Sequence, residues 1–395
     1  MTPSQASSAG ARGGGKRHAA SALACTIVGV LPSALLGGLA PLIRADLNIP
    51  AWWIGVGVAI AFGTAALASV PGGRLADRLG SRRSLWIGVT LSAVSLFGIG
   101  FLVQDWLLLG VFLGLGGVSN AIIQPAANLA LARGIPAGRR GLAFGLKQAA
   151  IPTAAALGGF AVPLVGVTFG WRAAFLGGGL LAVFAATLPG PAASSSTQPR
   201  GARPSFTVPP SLRLLTGGIG LASAAANAMA AYLVESATAA GWDAAAAGLF
   251  LGAGSVLGIV SRIVVGWLTD LMTSGWLRLV TAMMLVGAVG FGFLAFLEIP
   301  VFLAVGVALG FAAGWGHNGL FLYAVVRLHP EAPAAATGMT QVGAFGGPVV
   351  GPPLFGLIAT TVSYSWAWGA TALMSALAAL FIHLARRQVL RERVR

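Results

Sequence analysis

Twelve times along this chain an apolar run recurs that is long enough to cross a bilayer, at roughly 19–42, 52–71, 84–103, 106–131, 141–166, 171–189, 212–238, 245–268, 277–297, 301–326, 334–361 and 364–385. A helix needs about 20 such residues to span the hydrocarbon core. Lipid offers backbone N–H and C=O groups no partner but one another, so runs of this kind fold as helices. A soluble domain carries about 25% charged residues, whereas 8% here are charged, too few to clothe a soluble surface of this size. The expected fold is therefore an all-α membrane protein of twelve transmembrane helices. The first run is as long as those that follow, so it is read as a span and not as a cleaved leader.

Charge position sets the orientation. With the N-terminus placed in the cytoplasm, 20 of the 24 lysines and arginines fall on the inner side. Only Arg44 and Arg172 fall outside, and Lys147 and Arg262 lie within predicted spans. The positive-inside rule then puts both termini in the cytoplasm and the protein in the cytoplasmic membrane. The net charge of +15 follows from this topology, and no soluble module remains to turn it toward nucleic acid. Cys25 is alone, and His18, His317, His329 and His383 are scattered without metal-ligand spacing. The glycines of GLGG in the fourth run lie inside apolar sequence, where a phosphate cradle has no use. An enzyme, a cofactor and a metal site are thus not expected. Trp52, Trp53, Trp106, Trp171 and Trp366 sit at outer helix ends, as an interfacial belt would place them.

The runs divide six and six. Residues 1–18 read as a disordered cytoplasmic tail, 19–189 as one six-helix bundle, 190–211 as a Pro- and Ser-rich linker, 212–385 as a second bundle and 386–395 as a basic tail. At a constant offset of 193 residues Gly55 matches Gly248, Gly73, Leu75 and Asp77 match Gly266, Leu268 and Asp270, Gly145 and Gln148 match Gly338 and Gln341, and Gly158 matches Gly351. Two pseudo-symmetric halves are a transporter architecture, with solute bound at midplane between them.

Between the second and third runs stands GGRLADRLGSRR, where Gly73, Asp77, Arg78, Gly80, Arg82 and Arg83 share one short inner segment. It resembles the signature between helices 2 and 3 of the major facilitator superfamily, and the resemblance extends over residues 19–385. The resemblance implies a monomer working by alternating access, in which this segment latches the state open to the outside. Gly266 and Asp270 keep a faded second copy. A mere positive-inside anchor would need neither Asp77 nor the glycines, and Gly73 is expected to let another helix approach closely. The acid that this family often supplies at the inner end of helix 4 is missing from NLALARG.

Polar side chains inside the spans are costly and default to function. Asn120, Gln124 and Asn128 recur every four residues and form one stripe. Ser223, Asn227 and Glu235 do so in the seventh run; His317 and Asn318 sit near the middle of the tenth; Gln148 and Gln341 are symmetry mates. Lys147 and Arg262 each lie about six residues, roughly 9 Å, from an inner helix end. The superfamily architecture sets helices 5 and 8 side by side, so both cations are expected to face one cavity and bind a carboxylate, Arg262 in bidentate fashion. Snorkelling of both to the interface is the plain alternative. Glu235 and His317 are the candidates for proton coupling, and uniport stays open. The expected function is secondary transport of a small organic solute, an anion preferred. A drug/proton antiporter is the alternative, although Gly110 stands where such exporters carry an arginine and IPTAAALGG keeps only part of their helix 5 motif. A non-transporting sensor or scaffold is the remaining class.

Overall fold

The computed structural model describes residues 3–134, 147–188, 208–330 and 332–392, and every regular element among them is helical. Twelve spans are present, and the all-helical membrane fold is as the apolar runs require. They are α1 (Pro3–Gly38), α2 and α3 (52–79 and 81–102, one continuous run kinked at Gly80), α4 (Trp106–Gly134) and α5 (Ala150–Phe169). The chain continues through α6 (Trp171–Ala186), α7 (Pro210–Ala239), α8 (Ala244–Leu271), α9 (Trp276–Phe296), α10 (Pro300–Leu328), α11 (Pro333–Thr361) and α12 (Tyr364–Glu392). A short helix, Ala40–Leu47, follows α1. An even number of spans puts both chain ends on one face, called here the terminus side, and α1 leads from it to the far side.

Several boundaries differ from the sequence expectation. Residues 3–18 continue α1 instead of forming a loose tail. Extending a helix already anchored in the membrane costs far less than starting one, which outweighs the glycines of this stretch. The expected basic tail from residue 386 is likewise helical as far as Glu392. The Glu392 carboxylate accepts from the Ser211 N–H at 3.2 Å and the Ser211 hydroxyl at 2.7 Å, satisfying the first turn of α7. The expected linker, residues 190–211, falls mostly outside the described residues, as do Gly145 and the expected start of the fifth span.

The stretch Gly72–Arg83 is helix rather than loop apart from Gly80, whose φ of 78° and ψ of 168° no side chain adopts without strain. One residue therefore turns α2 into α3. The close approach falls to Gly72 and not to Gly73. A β carbon on Gly72 would lie 2.6 Å from the Ala121 carbonyl oxygen of α4, whereas Gly73 faces open space. One step along a helix turns the side-chain position by about 100°, which is enough to exchange the two roles.

The offset of 193 residues reappears as matched contacts. A β carbon on Gly55 of α2 would collide with the Pro352 carbonyl oxygen of α11; one on Gly248 of α8 would lie 2.7 Å from the Gly159 carbonyl oxygen of α5. Gly248 is the mate of Gly55, and Pro352 the mate of Gly159. Where α1 crosses α7, Gly37 would set a β carbon 2.5 Å from the carbonyl oxygen of Ala230, its own mate, so the pseudo-two-fold axis passes through that crossing. All these contacts lie on the far side. One hydrophobic core runs through the first half and the far-side part of the second, joining Leu31, Leu39 and Ile54 to Tyr232, Phe311 and Trp368. A separate core, from Leu212 to Ala385, belongs to α7–α12 alone. The halves are fused on the far side; toward the terminus side Leu67 and Val70 of α2 and Val342 of α11 are exposed. Replacing Gly55 and Gly248 by alanine should disfavour this closed far side. In a background with Cys25 replaced by serine, a cysteine at position 230 should react with an impermeant thiol reagent at least about threefold faster in that double variant.

Candidate functional site

The site is built around two interruptions. In α10 a π-turn covers Gly310–Trp315, and Gly316 and His317 form a turn before regular helix resumes at Asn318. Glycine at 316 is needed because a β carbon there would meet the Ala312 carbonyl oxygen and the Ser261 hydroxyl. Such wide turns are frequent at functional positions, and they leave main-chain carbonyls to be satisfied by other groups. From α8 the Ser261 hydroxyl donates to the Ala312 carbonyl. Arg262 donates through one terminal nitrogen to the Trp315 carbonyl, 3.2 Å, and through the other to the Gln148 carbonyl just ahead of α5, 2.8 Å. Its guanidinium lies 5.6 Å from the centre of the Trp315 ring. Arg262 thus ties the two halves together across α8 and the start of α5. Its Nε is buried with no partner.

The second interruption is at the start of α5, where Lys147 is 4% exposed. Its ammonium donates to Asn128 Oδ1 at 2.9 Å and to Gln124 Oε1, and the Gln124 amide donates in turn to Asn120 Oδ1 at 3.2 Å. The polar stripe of α4 and Lys147 are therefore one network within the first half. Among the described residues Arg44 pairs with Glu235 and Arg172 with Asp46, and neither Lys147 nor Arg262 is in an ion pair with another described residue. Two positive charges sit inside the bundle, met by dipoles alone.

Between the halves lies a central cavity of about 440 Å³ of empty space, part of it open to solvent. Its walls are Val30, Ser33 and Ala34 of α1, Val58 and Phe62 of α2, Ile151 and Ala155 of α5, Asn227, Ala230 and Ala231 of α7, Leu251 of α8 and Trp315 of α10. Of the other residues expected from the sequence, His317 is buried with Nδ1 3.4 Å from the Ala313 oxygen, Asn318 is half-buried and Gln341 is exposed. Gln148 contributes through its main chain. Asp77, Arg78, Arg82 and Arg83 are exposed on the terminus side, Arg82 lying 5.0 Å from the centre of the Trp86 ring.

Glu235 stands apart from the cavity, on the far side, and is 2% exposed. It pairs with Arg44 of the short helix Ala40–Leu47, and Tyr364 of α12 donates to the same Oε1 at 3.2 Å. Its Oε2 is buried without a partner. Nearby the Tyr232 hydroxyl donates to the Ala51 carbonyl at 2.9 Å and accepts from the Gly55 N–H at 2.7 Å. These bonds cross between the halves. Sequence reasoning found Glu235 but passed over Arg44, Tyr232, Tyr364, Ser33 and Trp315. An arginine on a side nearly bare of basic residues was a usable signal for Arg44, and an aromatic between two glycines in mid-helix for Trp315. Trp171 is not a belt residue: it is 3% exposed, and its indole N–H donates to Asp46 at 3.2 Å, where Arg172 also binds at 2.6 Å.

The family described as Major Facilitator Superfamily matches residues 22–342. A curated relative, the "Uncharacterized transporter YybO" of Bacillus subtilis (strain 168), is 34% identical over 137 residues, 35% of this chain. That stretch spans 31% of the relative's own length. Among solved structures, a bacterial homolog of the human lysosomal transporter Spinster in its inward-facing and occupied conformation superposes with a TM-score of 0.76 at 15% identity, over 94% of this chain and 96% of that one. The same homolog, inward-facing and unoccupied, gives 0.77 at 15% identity over 95% and 98%. At that identity the likeness is one of fold.

The Lys147 network makes a checkable demand on stability. Gln124→Leu leaves a buried ammonium short of an acceptor and should cost about 1.5–3 kcal/mol. Adding Lys147→Met to it should recover much of that loss, a coupling that thermal unfolding of the four proteins of the cycle in detergent would measure.

Proposed function

The chain belongs to the Major Facilitator Superfamily, and from that premise we propose that it carries a small organic anion across the cytoplasmic membrane by alternating access. The observation that carries this reading is a pair of buried cations, Lys147 and Arg262, with carbonyl and amide oxygens but no carboxylate around them. A positive charge held in low dielectric by dipoles alone attracts an anion strongly. Arginine additionally offers a planar fork that fits a carboxylate.

With the terminus side in the cytoplasm, as the arginine distribution favours, the conformation is inward-facing. The Arg44–Glu235 pair, the Tyr232 bonds and the Gly55–Pro352 and Gly248–Gly159 contacts then seal the outside. Glu235 is the coupling group in this reading. Arg44, Tyr364 and Tyr232 surround it, and protonating its carboxylate removes the charge that holds Arg44, loosening the outer seal. The exposed cluster Asp77, Arg78, Arg82 and Arg83 belongs to the opposite gate, as a latch that forms when the terminus side closes. Export of an apolar drug is the second reading, favoured by the apolar cavity wall.

Transport by reconstituted protein separates the two. Arg262→Gln should lower uptake of an accepted organic acid by at least about tenfold; apolar drug flux unchanged by the same substitution would sink the anion reading. Glu235→Gln should abolish accumulation driven by a pH gradient yet keep solute exchange between labelled and unlabelled pools. Full gradient-driven accumulation in that variant would remove Glu235 from the coupling role.

A further inference from the structure

The cavity wall narrows the solute further. Its polar members are Ser33 and Asn227, whose donors are engaged by their own helices. The Ser33 hydroxyl donates to the Val30 carbonyl at 2.9 Å. The Asn227 amide donates to the Ser223 carbonyl at 2.8 Å, while the Ser223 hydroxyl donates to the Ala344 carbonyl of α11 at 2.7 Å. The rest of the wall is hydrocarbon, one phenyl ring and one indole. A sugar placed here would trade its water for little beyond the Asn227 amide oxygen and the Ser33 hydroxyl oxygen, and a second carboxylate, which needs donors, would gain less; unpaired buried polar groups are what sites discriminate against most steeply.

The charged groups stand behind the wall of this cavity, each next to a wall residue. Lys147 is four residues, about one helical turn, before the wall residue Ile151. Arg262 lies against the ring of the wall residue Trp315. Its terminal nitrogens each give one N–H to a carbonyl, and Nε is buried and unpartnered, so three of the five donors of a guanidinium remain for a ligand.

We propose that the solute is an amphiphilic monoanion: a single carboxylate held by Arg262 with Lys147 at the cavity wall, on an apolar body that fills the space between α1, α2, α5, α7 and Trp315. This rests on the organic-anion reading and names the class of anion. The apolar body supplies binding through the area it removes from water, and the carboxylate fixes its orientation.

The probes are benzoate and octanoate, with succinate as the dianion, glucose as the neutral polar solute and benzyl alcohol as the uncharged counterpart of benzoate. Thermal stabilisation of the full chain in detergent reports binding, because a ligand stabilises the state it occupies, and proteoliposome uptake reports transport. Benzoate and octanoate should stabilise the protein and be taken up, while succinate, glucose and benzyl alcohol should do neither. Arg262→Gln should weaken both monocarboxylates at least about tenfold. Should that variant fail to fold, Asn227→Asp, which sets a negative charge beside the apolar body, should weaken them by a similar factor. Failure of both monocarboxylates to bind overturns the inference, as does a response to them that neither variant changes. Arg262-dependent binding of succinate equal to that of benzoate also overturns it, but leaves the organic-anion reading standing. Benzyl alcohol or glucose bound and carried equally well with Arg262→Gln would bring down that underlying reading as well.

Discussion

Inside a bilayer a main-chain carbonyl without a partner has no water to turn to, and the architecture of this protein follows from that constraint. Regular helix satisfies it at no cost in side chains. Where α10 departs from regular geometry, at Gly310–His317, other helices must supply the donors. Ser261 and Arg262 of α8 do so, and Arg262 reaches on to the Gln148 carbonyl at the start of α5. The same guanidinium is thereby a structural tie between the halves and a charge beside the central cavity. Its position is over-determined by two carbonyls and an indole ring.

Helix association in lipid gains little from hydrophobicity and depends on close packing. Glycine supplies it here at positions that the internal repeat makes predictable: Gly55 against Pro352 and Gly248 against Gly159 are one contact made twice. Each couples a helix of one half to a helix of the other, and both lie on the far side. Toward the terminus side the second half keeps a separate core, and Arg262 to the Gln148 carbonyl is the tie named above.

Much of this was legible in the residues. Length and hydropathy of the runs determine the span count, and the constant offset reveals the two halves. The α4 stripe could be read from a spacing of four, and Lys147 and Arg262 stand out as charges in apolar sequence. What the spacing could not give was which partner each would choose. Lys147 turns to the amides of α4 in its own half, and Arg262 to main-chain oxygens that carry no sequence signature at all. Gln341, the mate of Gln148, is exposed, because equivalent positions of two diverged halves need not face equivalent surroundings in a state closed on one side only.

The sequence by itself determined the helices, their number, their pairing into two halves and the charges that have to be explained, because each of these follows from local hydropathy and from repetition along the chain. The tertiary structure alone decided that Gly72 and not Gly73 makes the close approach, that Trp171 is buried against Asp46, and that Arg44 and Glu235, distant in sequence, close the far side together. Those facts depend on the rotation of each helix about its axis and on which face of the bundle is shut. Both are set by contacts between segments far apart in the chain, which no local pattern records.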